Sequence, residues 1–258
     1  MAARRLSNNA QETLQRLLEE AGDGRLQIPE FQRAFALEDE WIRLLLASVS
    51  LGHPIGALTL LESGSPDVRF TYSPIPGAPS RRSVPERLLV DGQQRITALY
   101  QVLASGREVQ AGDHHEEPIE RWYYLDIHAA LDPDADRDDA VVSVPEARRV
   151  NTAELEWEQC LFPLRLVFRS GDELRRWQRG FSDHPTRDRT EARGELMDRF
   201  EREVLKVFQG YVVPTITLGK EMTRWTVRVH GGPDGRGLSD RYRAAAVDGN
   251  ARRPKERR

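Results

Sequence analysis

Residues 88–100 constrain the fold more than any other part of the chain, because they predict a strand, a tight turn and a helix in direct succession. The apolar run 88–90 is typical of a buried strand. Beyond a polar turn, apolar side chains return at helical spacing, at Ile96, Leu99, Val102 and Leu103. The five residues Asp91–Arg95 between these elements are called the Asp91 turn below.

The Asp91 turn places two carboxamides and a guanidinium at the start of the predicted helix. The free N–H groups and the dipole at a helix start favour an anion. The sequence therefore predicts a phosphate-binding turn, in which Gly92 lets the backbone approach the ligand. In the alternative interpretation, Asp91 only caps the helix, and Gln93, Gln94 and Arg95 face solvent.

Composition excludes several classes of protein. The 258 residues are 39% hydrophobic and 31% charged, and no apolar run reaches the roughly 20 residues that span a bilayer. The first residues lack the apolar core of a signal peptide, so we expect a cytoplasmic protein without a membrane partner. A single cysteine, Cys160, excludes an internal disulfide and a cysteine-based zinc site. The adjacent His114 and His115 lack a second ligand cluster, so no metal site is predicted.

The rest of the chain alternates between helical and strand patterns. Helices are predicted at 10–21, 38–49 and 189–209, and strands at 25–28, 57–62, 122–127 and 141–144. A further strand at 211–218 contains Pro214, which indicates an edge position. A strand-like segment then reaches a glycine-rich turn near Arg228 and His230, which is either a second ligand contact or a plain hairpin.

Positive charge is concentrated at the end of the sequence. Residues 241–258 carry a net charge of +5, so the remaining residues carry −8. This composition predicts a disordered basic tail, which could contact DNA through its phosphates.

Three segments stand in one order along the chain: Ile-Pro-Glu-Phe-Gln-Arg at 28–33, Pro-Ile-Gly at 54–56, and 90–99 with the Asp91 turn. Together they resemble the N-terminal domain of the GmrSD type IV restriction endonucleases, the DUF262 family, to which the phosphorothioate-sensing SspE proteins are also similar. The resemblance extends over roughly 10–240.

The resemblance implies an α/β (α+β) fold with a ParB/sulfiredoxin-like core and a mixed sheet. An additional helical and strand subdomain is also implied. The core with the Asp91 turn occupies 1–110, the remainder of the DUF262 domain occupies 111–240, and the tail occupies 241–258. The Asp91 turn would then take the place of the phosphate-binding Gly-Glu-Arg-Arg box of ParB.

The resemblance also implies a nucleoside triphosphate (NTP) as ligand, hydrolysed with Mg²⁺, in a sensor of modified DNA that acts in anti-phage defence. Asp91 and Gln94 are the candidate catalytic residues. The nucleotide contacts are expected from Gln32, Arg33, Gly92, Gln93, Arg95, Arg228 and His230. DNA cleavage is expected from a separate HNH-type nuclease subunit, and oligomerisation is left open.

Two departures from the family pattern limit this hypothesis. His230 stands where the family has asparagine, and residues 233–236 are additional. No His-Asn-His constellation is present, so nuclease activity is not expected from this chain alone. The alternative is a catalytically silent, truncated module that binds DNA or a partner protein.

Overall fold

The computed structural model describes residues 7–30, 37–64, 71–81, 83–112, 118–169, 171–185 and 192–220. These residues form ten strands: β1 (Ser7–Thr13), β2 (Leu26–Pro29), β3 (Leu58–Glu62), β4 (Tyr72–Pro74), β5 (Arg87–Asp91), β6 (Val109–Gly112), β7 (Pro118–Asp126), β8 (Val141–Pro145), β9 (Leu161–Pro163) and β10 (Val212–Leu218). They also form eight α-helices: α1 (Leu14–Gly22), α2 (Asp39–Ser50), α3 (Gln93–Leu103), α4 (Ile127–Leu131), α5 (Ala153–Glu158), α6 (Asp172–Asp183), α7 (Arg193–Phe200) and α8 (Lys206–Gln209).

The strands divide into two sheets. The first has six strands in the order β1-β10-β3-β5-β2-β4 and is mixed, since β5 runs parallel to β2 and antiparallel to β3. The second is antiparallel, with β7 between β6 and β8 and with β9 also paired to β7. The predicted α/β class with a mixed sheet is therefore confirmed.

Strand β5 is buried on both faces, which explains its unbroken apolar run. Leu89 packs into the main core with Leu60, whereas Leu88 and Val90 pack on the other face of the sheet with Leu61 and Leu218. Since side chains alternate across a strand, both faces of β5 need apolar residues. The helix that follows, α3, contacts α1, α2 and β6, and so links the two sheets.

Three of the sequence predictions need correction. Residues 10–13 belong to strand β1, and the predicted helix begins only at Leu14, because β1 pairs along its whole length with β10. Strand β10 lies inside the sheet and not at its edge. Its pairing with β3 begins at Thr215, one residue after Pro214, so the missing N–H of the proline falls outside that ladder.

The third correction concerns the long charged helix predicted at 189–209. Its described part begins at Arg193, and a π-helical turn at Glu201–Leu205 separates α7 from α8. The predicted boundary at residue 110 stays a prediction, although the first sheet takes β10 from beyond it. Among the described residues, no helix is long and apolar enough to cross a membrane.

Candidate functional site

The Asp91 turn connects β5 to α3 through a single glycine. Gly92 has φ 88° and ψ 15°, the left-handed conformation that glycine adopts without strain. A β-carbon at this position would lie 2.2 Å from Cδ2 of the buried Leu58. Both the backbone angle and the space available therefore require glycine here.

Helix α3 begins without a side-chain cap. Its N-cap residue is Gly92, which has no side chain to cap the helix, and no side-chain cap is found among the described residues. The first intrahelical bond runs from the Ile96 N–H to the Gly92 carbonyl, at 3.1 Å. The preceding N–H groups are therefore available to a ligand at the positive end of the helix dipole.

Arg95 fixes the turn to residues 53–57, which lead into β3. Its Nη1 donates to the Ile55 carbonyl, and its Nη2 donates to the Ala57 carbonyl at 3.1 Å. The same Nη2 lies 3.6 Å from Oδ2 of Asp91. Gly56 has φ 87°, and a β-carbon there would lie 2.5 Å from Nη1. The Pro-Ile-Gly segment and the Asp91 turn thus meet in space through one guanidinium.

Gln93 turns into the protein. Its residue is 9% exposed, and its side-chain Nε2 donates to the Leu89 carbonyl at 2.6 Å. This bond ties the start of α3 to β5, so the carboxamide nitrogen is already engaged. Gln93 therefore supports the shape of the turn.

Gln94 and Asp91 are the two side chains of the turn that face outward. Gln94 is exposed, and no hydrogen bond of its side chain is found among the described residues. The Asp91 side chain is 50% exposed and has Arg95 as its ion-pair partner. These two groups are positioned to meet a ligand at the helix start.

Tyr211 supports residues 53–57 from the protein side, a role that sequence reasoning missed. Its hydroxyl donates to the His53 carbonyl at 2.6 Å, and burial raises the pKa of the phenol. Because the acceptor is a backbone atom 158 positions away, no side-chain pattern in the sequence could have indicated the contact.

The remaining predicted site residues lie outside the described part of the chain: Gln32, Arg33, Arg228 and His230. The strands that precede these residues in the sequence are described, and their directions are known. β2 runs parallel to β5 and ends at Pro29, so the chain leaves β2 on the side of the sheet where β5 ends at Asp91. β10 runs in the direction of β3, which is away from Asp91.

The described residues contain no group of three or more His, Cys, Asp or Glu side chains that could hold a metal ion. The acidic loop between α4 and β8 folds on itself, with the Asp134 N–H bonded to Asp132 Oδ1 at 2.9 Å. Within the described part of the chain, Asp91 is the carboxylate that the turn itself would offer to a dication. That arrangement fits Mg²⁺, which binds through one or two carboxylates together with substrate phosphates.

Comparison with known proteins gives one family. Residues 14–159 match the sequence model described as the GmrSD restriction endonuclease, N-terminal domain. The match spans more than half of the chain, includes the Asp91 turn and residues 53–57, and indicates a module of a restriction system. None of the curated proteins matches the chain. The chain therefore belongs to the GmrSD N-terminal domain family.

Proposed function

We propose that the Asp91 turn binds the phosphates of an NTP, and that the chain is an NTP-hydrolysing sensor module of a modification-dependent DNA restriction system. The observation that carries this proposal is the uncapped start of α3 behind a left-handed glycine. Gly92 has no side chain to keep a phosphate away from the backbone, and the helix dipole favours the negative charge.

The side chains of the turn have different roles in this proposal. Gln94 reaches the phosphates directly, because it is exposed and has no described partner. Gln93 and Arg95 stabilise the Asp91 turn through their hydrogen bonds to the backbone carbonyls of Leu89, Ile55 and Ala57. Arg95 still adds positive charge beside the helix start, since the ion pair with Asp91 is long, at 3.6 Å, and the Asp91 side chain is half exposed, so solvent weakens the pairing.

Gln32 and Arg33 would complete the site from the neighbouring strand. They follow Pro29 by three and four residues, on the side of the sheet where β5 ends. An arginine suits this place because its planar guanidinium can bind two phosphate oxygens at once. Arg228 and His230 remain candidates for the rest of the nucleotide.

Hydrolysis requires a water molecule held against the terminal phosphate. Asp91 and Gln94 are the outward-facing acceptor groups at the turn, and we propose that they orient this water. Bound Mg²⁺ would supply neutralisation of the phosphate charge. DNA cleavage is assigned to a separate HNH-type nuclease subunit, to which the NTP-bound state would be coupled.

The experiment compares nucleotide binding and phosphate release by the wild-type protein and by Gln94→Ala. We expect the variant to bind ATP or GTP roughly tenfold more weakly, because one hydrogen bond to a charged phosphate is lost. Gln159→Ala, which alters an exposed glutamine at the end of α5, is the matched control and should bind as the wild type does. Equal binding by Gln94→Ala and the wild type would contradict the assignment.

The engagement of Gln93 and Arg95 within the protein favours a second candidate function. Two groups that the sequence assigns to phosphate already have protein partners. A catalytically silent module that binds DNA or a partner protein needs these residues only to stabilise the turn, and the bonds described here already do that. In that case no phosphate release would be measured with any NTP, whereas binding of DNA or the partner would persist.

A further inference from the structure

Helix α2 presents a row of apolar side chains to solvent. The row consists of Trp41, Leu44, Ser48 and Leu51, which fall within a sector of about 80° around the helix. Trp41 is 61% exposed, Leu44 is 39% exposed and Leu51 is 43% exposed. We call these four residues the α2 stripe. Large apolar side chains grouped on a surface mark a site of interaction.

Ser48, the polar member of the α2 stripe, keeps its hydroxyl against the helix. Its Oγ donates to the Leu44 carbonyl at 2.8 Å. The Leu51 N–H bonds to the Ala47 carbonyl at 3.1 Å, so the helical geometry extends to the last member of the stripe. The stripe is therefore a continuous apolar ridge about 15 Å long.

The other faces of α2 already pack against the protein. Ile42, Leu46 and Val49 are buried in the main core. On a third side, Nη2 of Arg43 donates to the Asp138 carbonyl at 2.9 Å. These contacts fix the rotation of α2, so the stripe can be buried only by a surface that approaches from outside.

The spacing of the α2 stripe is self-complementary. When two copies of α2 pack antiparallel about a two-fold axis at Leu46, Trp41 of one copy faces Leu51 of the other, and Leu44 faces Ser48. Both pairs fit one axis because both are centred on Leu46. The larger side chain of each pair meets a smaller one, which suits close packing of two helices.

The two ends of the α2 stripe differ in charge. Glu40 is exposed beside Trp41, at the first end. At the other end α8 packs against α2, and a β-carbon on Gly52 would lie 3.5 Å from Cγ1 of Val207. The residue before Val207 is the exposed Lys206. Antiparallel packing therefore brings Glu40 of each copy towards Lys206 of the other, whereas parallel packing would bring like charges together.

We propose that a second copy of this chain covers the α2 stripe, in a symmetric dimer with antiparallel α2 helices. The exposed parts of the three large side chains amount to about 300 Å² per copy. A standard interface buries roughly 800 Å² per partner, so the stripe forms the apolar centre and the charged ends belong to the rim. An apolar centre of this size fits a reversible dimer with a Kd on the order of 10 µM.

Sedimentation equilibrium of the full chain tests the dimer at concentrations from about 1 µM to about 200 µM, which bracket the expected Kd. The average mass of the wild type should rise from that of one chain towards that of two. Leu44→Glu places a charge at the centre of the interface and should keep the mass of one chain. Leu155→Glu on α5 is the matched control, because Leu155 is also 39% exposed, and it should associate as the wild type does.

A charge exchange tests the antiparallel arrangement with variants outside the apolar centre. Glu40→Lys and Lys206→Glu should each raise the Kd of the dimer roughly fivefold, because each places like charges at both ends of the interface. The double variant restores opposite charges and should recover most of the wild-type affinity. A double variant that associates more weakly than both single variants would overturn the antiparallel arrangement.

Two results would overturn the proposal as a whole. In the first, the wild type keeps the mass of one chain at every concentration. In the second, Leu44→Glu associates as the wild type does, which would place the contact on another surface. Gln94→Ala should associate like the wild type, because the α2 stripe shares no residue with the Asp91 turn. A failure of the nucleotide proposal is therefore distinguishable from a failure here.

Discussion

At the scale of single residues, some side chains of the Asp91 turn stabilise the turn and others face solvent. The sequence predicted the turn and its glycine, and the structure confirms a strand that ends at Asp91 and a helix that begins at Gln93. The sequence did not predict which polar side chains turn inward. Gln93 and Arg95 bond to backbone carbonyls, and a carbonyl has the same chemistry at every position, so no sequence pattern marks it as a partner.

Gly92→Ala should lower the free energy of unfolding by about 2–4 kcal/mol, since it combines a left-handed backbone with a clash against a buried leucine. Urea denaturation of both proteins measures the difference. Gly64→Ala is the matched control, because Gly64 also has a positive φ but no described atom lies within 4 Å of where its β-carbon would stand. Gly64→Ala should lower the free energy of unfolding by about 1 kcal/mol. If both variants lost the same free energy of unfolding, the clash with Leu58 would not explain the effect of Gly92→Ala.

At the scale of elements, one arginine joins β5 to β1 and α1. Arg87 donates to both oxygens of Glu12, at 2.6 and 2.9 Å, and also pairs with Glu20, which Arg16 contacts at 3.0 Å. The Arg87 side chain is 15% exposed, and the two carboxylates are less exposed still. Pairs of this kind are costly to break because the remaining charge stays buried.

Glu12→Gln should destabilise the protein by about 2 kcal/mol at neutral pH. Arg87 lowers the pKa of Glu12 in the folded state, so the ionised carboxylate stabilises the fold above its unfolded pKa. That contribution disappears as the pH falls through the lowered folded value. The difference between the two proteins in urea denaturation should therefore shrink from pH 7 towards pH 3. Glu203→Gln, in an exposed pair with Arg202, should change stability little at any of these pH values, and a constant Glu12→Gln effect would contradict this account.

Helix and strand identity could be predicted where the pattern is local. The spacing of Leu14, Leu17 and Leu18 correctly indicates the buried face of α1. The preceding residues Ala10, Gln11 and Glu12 favour a helix by propensity, yet they form β1 because β10 pairs with them. The deciding contact lies about 200 positions away in the sequence, as Glu12 and Val213 show. Local patterns cannot report such a contact.

At the scale of the whole molecule, the first sheet depends on a strand from near the end of the described chain. β10 lies between β1 and β3 and pairs with both. The family match ends at residue 159, well before β10. The class of the fold could be predicted from the resemblance of three sequence segments to the family, whereas the strand order could not, because it depends on these distant pairings.

A fragment of residues 1–159 should therefore lose cooperative unfolding, since β1 and one edge of β3 would be left unpaired. A fragment of residues 1–220, which keeps all the described elements, should unfold in a single transition. Circular dichroism during urea titration measures both. A cooperative transition of the shorter fragment at the midpoint of the longer one would show that β10 is dispensable.

The pairing of Ser7 with Leu218 also determines when the molecule can fold. During synthesis, β1 emerges from the ribosome before β10, and about 200 further residues must be made before its neighbour exists. Closing so long a loop is entropically unfavourable and slow, and contacts of large sequence separation are typical of proteins with low folding rates. The first sheet is therefore completed late, and the nascent β1 spends that interval as an exposed strand that other chains can reach.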